Sequence, residues 1–228
     1  GSGAYLAAFF RRGLEETDLP GYSHRIRWSN TSRLQWLFDA DLREMLAGYD
    51  AAEEFLASLN GTLAGWSPLS QAQYIEVATF MSPYLLSSQG DRMMAAHSVE
   101  GRFPFLDHRV VEFCNRLPPH FRLRGLKEKY ILKKSARDLL PAEICQRRKQ
   151  PYRAPIHPAF LDQRLDYVKS LLSPDAVRAG GVFAPQAVAR LARKCQSGAH
   201  VGEGDDMALA GVLSVQLLQR LFMDGFPF

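Results

Sequence analysis

The sequence predicts a mainly α-helical segment, and three observations carry that reading. Apolar residues recur at helical offsets along most of the chain. Pro, Gly and Asn-Gly punctuate it at intervals that suit short helices. Only Val99–Phe105 reads as extended, and that run is short.

Taken in order, Tyr5, Phe9 and Arg11-Arg12 predict a first helix ending near Gly13–Thr17. Short helices follow around Ser32–Phe38, with Thr31 as cap, and over Asp41–Leu46 and Ala51–Leu59. Pro68 opens a longer helix in which Ala72, Ile75, Thr79 and Phe80 trace one stripe. Pro83 is expected to break it, and a further helix runs from about Tyr84 to His97. Asp107 stands where it can cap the next, with Val110, Phe113, Cys114 and Leu117 on one face and Pro118-Pro119 as the stop. Cys114 therefore reads as a small core residue. Lys127–Leu140 predicts another helix, ending at Pro141. Beyond a loop at 147–158, helices are expected over Leu161–Leu172, Pro174–Ala179 and Pro185–Lys194. Met207, Ala210, Ser214, Leu217, Leu218 and Leu221 mark the face of the last one, after a flexible-looking linker at Ser197–Gly204.

With 228 residues, 46% of them hydrophobic, the chain has material for one or two domains with a substantial core. No apolar run approaches the ~20 residues of a membrane-spanning helix, and no signal peptide is visible, so a cytoplasmic protein without membrane contact is expected. Cys114, Cys145 and Cys195 are odd in number and widely spaced, which suits reduced thiols rather than a disulfide frame or zinc. The six histidines show no metal-ligand spacing, and His97 reads as a core residue.

Charge is unevenly placed. The net charge is +4, but residues 122–153 hold 11 basic against 3 acidic side chains. A solvated helix face suits Lys133, Lys134 and Arg137, whereas a phosphate or acyl-phosphate site suits Lys129 and Lys149. No nucleic-acid-binding module accompanies the patch, so nucleic acid is not expected as a partner.

The stretch Leu85–Asp107 is the most informative. It sets Asp91, Arg92, Glu100 and Arg102 among Met, Ala, Val and Phe residues that otherwise read as core. A charge buried alone costs several kcal/mol, so such groups need a partner or a substrate. Glu100 and Arg102 share one face of an extended run, where they can line a pocket together. Internal ion pairs tying a helix to a loop satisfy the same pattern.

Three blocks, GDRMMAAHSVEGRFPFLDHRVVEF, KEKYILKKSA and LLPAEICQRRKQPYRAPI, closely resemble the synthetase domain of glutamine-dependent asparagine synthetases. The likeness extends over essentially the whole chain and is densest over 69–156. It implies that residues 1–228 are the C-terminal helical part of an α/β adenine-nucleotide domain of the PP-loop ATP-pyrophosphatase kind. The family carries, upstream, a glutaminase domain with an N-terminal Cys and a Ser-Gly-Gly-x-Asp-Ser loop. Neither motif occurs in these residues. A missing upstream half or a partner chain is therefore expected to complete the site, with the segment inactive alone and some apolar faces exposed.

The resemblance also implies the chemistry. ATP adenylates the side-chain carboxylate of aspartate, and ammonia from glutamine then displaces AMP. Mg²⁺ is implied as well, its ligands expected mainly from upstream. Lys149, in Arg147-Arg148-Lys149-Gln150-Pro151, matches the lysine that similar enzymes place beside the α-phosphate; Arg148 stands where the family commonly has Pro. Glu100 and Arg102 match the Glu and Arg of the family's Val-Glu-x-Arg-x-Pro-Phe-Leu-Asp block. By charge, Glu100 suits the substrate α-amino group or the arriving ammonia, and Arg102 suits a carboxylate, either the substrate's or that of Asp107. Asp91 is implied near the nucleotide or in an ion pair with Arg92 or Arg102, and Lys129 near the phosphates. Ala95, Ala96 and Ser98 suit a narrow ammonia passage or tight helix packing. Two other functions fit: a relative that closes a lactam or macrolactam ring through the same acyl-adenylate, and a non-catalytic helical docking subunit.

Overall fold

The computed structural model describes residues 14–147, 149–150, 156–162, 165–198 and 201–223. Among these the chain is predominantly helical, with one two-stranded hairpin. Among the described residues no helix is long and apolar enough to cross a membrane. The expected first helix at Tyr5–Phe9 lies outside the described residues.

The chain divides into two compact units, one comprising 1–25 and 52–150 and the other 26–51 and 151–228. In the second unit a short 3-10 turn, Arg33–Leu37, follows helix α1 (Tyr22–Ser32) and precedes α2 (Ala40–Met45). Helix α1 is not foreshadowed by the sequence pattern, since its residues carry no apolar stripe. Asp39 starts α2 by accepting from the Asp41 amide at 3.1 Å.

Helix α3 (Ala51–Ser58) opens the first unit's main run, and α4 (Pro68–Glu76) is capped by Ser67, which accepts from the Ser70 amide with Pro68 at the first turn. Its expected stripe is present: Ile75 is fully buried, and Ala72, Thr79 and Phe80 are half-buried. Pro83 does not break the chain's helical course. The backbone widens into π-type turns over Val77–Asp91 and returns to α geometry in α5 (Arg92–Ala96). A wider turn relieves the clash of the proline ring with the preceding turn, which a regular α-helix cannot do.

Helix α6 (His108–Arg116) begins at Asp107 as expected, the carboxylate accepting from the Arg109 amide at 2.9 Å. Its apolar face is not core. Phe113 is 64% exposed, and Val110, Val111 and Cys114 are exposed with it. Cys114 is thus corrected from a packed residue to a surface thiol, because nothing among the described residues covers that stripe.

Short helix α7 (Pro119–Arg122) leads into the hairpin, β1 (Leu123–Arg124) paired antiparallel with β2 (Lys127–Glu128). The long helix expected over Lys127–Leu140 therefore starts late, as α8 (Tyr130–Ser135). Gly125, at φ +60°, opens a two-residue hairpin turn that overrides the helical propensity of the residues after it. Val99–Phe105 forms no strand; Pro104–Leu106 is a single 3-10 turn. Helix α9 (Ala142–Gln146), unforeseen inside a basic loop, follows Pro141.

The second unit continues with α10 (Asp166–Leu171), α11 (Pro174–Gly180), α12 (Pro185–Ser197) and α13 (Glu203–Phe222). Ser173 caps α11, and Gly181 and Gly198 end α11 and α12 in the left-handed conformation that glycine adopts freely. These helices close one core: Val168, Leu171, Val177, Val188, Leu191, Cys195, Leu209, Val212 and Leu213, with Leu37 and Phe183. A backbone bridge between Phe38 and Phe183 joins the 33–38 segment to it. The buried face of α13 is Ala208, Leu209, Val212, Leu213 and Gln216, not the stripe the sequence suggested; Met207, Leu218 and Leu221 are exposed. Both sides of α13 are apolar, so periodicity alone does not choose between them.

Candidate functional site

In the first unit the basic segment folds around one concavity. Glu128, Lys129, Lys133, Ile144, Arg147, Lys149 and Gln150 line a cavity of about 520 Å³. The hairpin, α8 and the chain leaving α9 each contribute. Lys129 stands between β2 and α8 at φ +53°, ψ +36°, a left-handed conformation that costs a side-chain-bearing residue about 1 kcal/mol or more. That conformation turns the chain from strand to helix. Arg124 donates to the Tyr130 hydroxyl at 2.8 Å and lies 5.2 Å from the same ring, fixing the start of α8 against β1.

Helix α9 is held against the end of α8, where the Cys145 thiol reaches the Ala136 carbonyl at 3.7 Å. One residue past α9, the Arg147 carbonyl accepts from the Lys133 ammonium at 3.4 Å. Lys149 comes next among the lining residues, exposed at the cavity. Four cations against the single carboxylate Glu128 make this an anion-attracting surface. The sequence assigns Lys129 and Lys149 to a phosphate site, and they do share the cavity. It assigns Lys133 to a solvated face and gives Arg147 no role. Lys133 is half-buried and lines the cavity, whereas Lys134 beside it is exposed. The available signal is spacing: Lys133 lies four residues beyond Lys129, so both fall on one side of a helical turn.

Asp91, Glu100 and Arg102 do not line this cavity. Glu100 and Arg102 do share one side of their segment, where they pair with each other at 2.5 Å, both largely exposed. Such a surface pair is worth about 1 kcal/mol at most. Gly101 between them leaves room for Met94, whose thioether occupies the space a Cβ there would need. Arg102 does not hold Asp107. That carboxylate is taken by the Arg109 guanidinium at 3.0 Å and by the cap of α6, and Arg109 holds it below the usual carboxylate range.

Asp91 is exposed and, among the described residues, forms no ion pair with Arg92 or Arg102. The expected core histidine, His97, is exposed too, its Nδ1 hydrogen-bonded to the Met93 carbonyl oxygen at 2.8 Å. Ala95, Ala96 and Ser98 are exposed, and nothing among the described residues packs tightly over them. Among the described residues no group of three or more His, Cys, Asp or Glu side chains can hold a metal ion. The described residues thus form no closed all-protein metal cage.

The sequence model of the asparagine synthase family matches residues 3–220. Among curated proteins, the chain is 32% identical over 117 residues to an amidase, chry2, of Gibberella zeae, covering 49% of this chain and 17% of that protein. It is 36% identical over 96 residues to the amidase chyE of Penicillium rubens, covering 40% and 14%. It is 30% identical over 139 residues to a glutamine-hydrolysing asparagine synthetase of Bacillus subtilis, covering 60% and 22%. The matched stretches thus span about a fifth or less of the length of these relatives. No solved structure matches significantly.

Proposed function

The chain belongs to the asparagine synthase family, and on that premise we propose that it is the helical C-terminal part of an ATP-dependent, AMP-forming amide ligase. The observation that carries the proposal is the convergence of Lys129, Lys133, Arg147 and Lys149 on one cavity. In the first stage an aspartate side-chain carboxylate attacks the α-phosphorus of ATP, and the bond to the β-phosphate breaks. Pyrophosphate leaves and β-aspartyl-AMP remains. In the second, ammonia attacks the acyl carbon and AMP departs.

Negative charge builds on phosphate oxygens in the first stage and on the carbonyl oxygen in the second. Cations fixed in advance lower both barriers. Lys149 is assigned to the α-phosphate and the acyl oxygen, and Lys129 to the departing pyrophosphate. Glu100 is assigned to the substrate amino group or the ammonia, Arg102 to the substrate carboxylate, and Asp91 to the neighbourhood of the nucleotide. For Glu100 and Arg102 this requires their mutual pair to open on binding, at the small cost of a surface ion pair. The Ser-Gly-Gly-x-Asp-Ser loop and any Mg²⁺ ligands are assigned to chain outside these 228 residues, so no step is derived through the metal.

A second reading keeps the acyl-adenylate and replaces ammonia with another amine, including one that closes a lactam ring. Two of the relatives being named amidases favours it. The test is exchange of labelled pyrophosphate into ATP by the intact enzyme carrying this chain. Aspartate-dependent exchange supports asparagine formation, and exchange that needs a different acid supports the second reading. No exchange with any carboxylic acid leaves a docking subunit as the function. The 228-residue chain alone is expected to give none.

A further inference from the structure

Lys133 sits half-buried in the cavity wall, and its ammonium donates to the carbonyl of Arg147, two residues before Lys149. We infer that Lys133 is a positioning residue: it tethers the chain leaving α9 to α8 and so holds Lys149 at the cavity. This inference rests on the reading of Lys149 given above.

Three observations meet here. Arg147 is the residue that ends α9, in extended conformation at φ −56°, ψ 131°, so its carbonyl has left the helical ladder and needs a donor. A lysine ammonium is a good donor at that end, where the helix dipole favours positive charge. The second is the exposure of the neighbours. On α8, Lys134 faces solvent while Lys133 packs in the wall, so burial singles out one lysine of the pair. The third is where each contact acts: the Cys145–Ala136 contact fixes α9 itself, whereas the Lys133 bond holds the residue just past its end, on the way to Lys149 at the cavity. At 3.4 Å the Lys133 contact is at the long end for a hydrogen bond.

A positioning role differs from a direct charge contact in what a substitution must keep. A tether needs a donor of suitable reach and tolerates loss of charge; a phosphate contact needs the charge. Lys133→Met keeps the length of the stem and removes the donor. Lys133→Gln keeps a donor but carries it one bond short of a carbonyl already at 3.4 Å, whereas Lys133→Arg keeps donor and reach. In the intact enzyme Lys133→Met is expected to lower kcat on the order of 10-fold to 100-fold with little change in KM for ATP, since a misplaced catalytic group costs rate rather than affinity. Lys133→Arg should stay within about 3-fold of wild type, and Lys133→Gln should fail much as Lys133→Met does.

Hydrogen exchange gives a readout independent of activity. The amides of Lys149 and Gln150 should exchange faster in Lys133→Met, while those of α12 and α13 stay unchanged. Wild-type kcat and unchanged exchange in Lys133→Met would overturn the tether, and so would Lys133→Arg failing as badly as Lys133→Met. Lys149→Ala is the control that separates the two readings. If it keeps wild-type turnover, the assignment of Lys149 fails, and the exchange data alone then decide the tether.

Discussion

The helices within residues 165–198 and 201–223 and those within residues 92–147 use their side chains in opposite ways. The first set turns Val168, Leu171, Val177, Leu191, Leu209, Val212 and Leu213 onto one another until each is almost wholly buried. The second leaves Phe105, Phe113, Ile144 and Leu139 exposed and draws its local order from a hairpin, a few caps and ring contacts. Hydrophobic burial therefore specifies the one, while backbone geometry and polar contacts specify the other. The difference has a chemical consequence. A cation in a dry core would have to be paired or neutralised, whereas Lys129 and Lys149 stand exposed at the cavity, where an anion can reach them.

The contrast breaks first if the core is not where stability resides. Leu209→Ala should cost about 2–5 kcal/mol in thermal or urea unfolding, because Leu209 is fully buried in the cluster. Phe113→Ala, on the exposed face of α6, should stay within about 0.5 kcal/mol. Equal losses would show that the exposed face is covered after all.

Next in size is Gly180→Ala. A Cβ at Gly180 would meet the side-chain oxygens of Gln216 and Gln219 on α13, and Gln219 already donates to the Gly180 carbonyl. Both oxygens are buried without a partner among the described residues. Overpacking there should cost about 1–3 kcal/mol, and a neutral result in denaturant melts would mean that α11 and α13 lie farther apart.

The smallest effect is an acid dependence. Burial tends to raise the Asp205 carboxyl, but bonds from the Lys194 ammonium at 2.8 Å and the Gly202 amide at 2.9 Å prevail and hold it below its ordinary value. An unfolded chain then takes up the proton more readily than the folded one. The stability from Asp205 is thus present above about pH 4 and lost as pH falls through the folded value. Asp205→Asn should remove about 1 kcal/mol at neutral pH and flatten that part of the acid profile. An unchanged profile in this variant would place the acid-labile group elsewhere.

Much of the fold is legible from residues alone. Asp107 as a helix start, Pro118-Pro119 as a stop, the Ile75 stripe and the helices after 165 all come from local rules that the packing does not override. The departures have common causes. Cys114 and the face of α13 differ from expectation because periodicity shows that a face is apolar, not that something covers it. The helix expected over Lys127–Leu140 is too long because the two-residue turn at Gly125-Leu126 outweighs several residues of helical propensity. Lys129 and Lys149 are legible through resemblance to a family. Lys133 is not, because its role depends on a carbonyl 14 residues away, which no local pattern encodes.

We propose that the cavity lined by Lys149, not the packed core, is where this chain contributes to the proposed reaction. The direct test is steady-state kinetics of Lys149→Ala and Lys149→Arg in the intact enzyme, beside a thermal melt of each. Losing one preorganised charge-stabilising donor should lower kcat by ~10²–10³, while KM for ATP moves far less and the melting temperature stays put. Arg should rescue only in part, since a planar guanidinium fork does not fill the place of a compact ammonium. Wild-type turnover in Lys149→Ala would contradict the account.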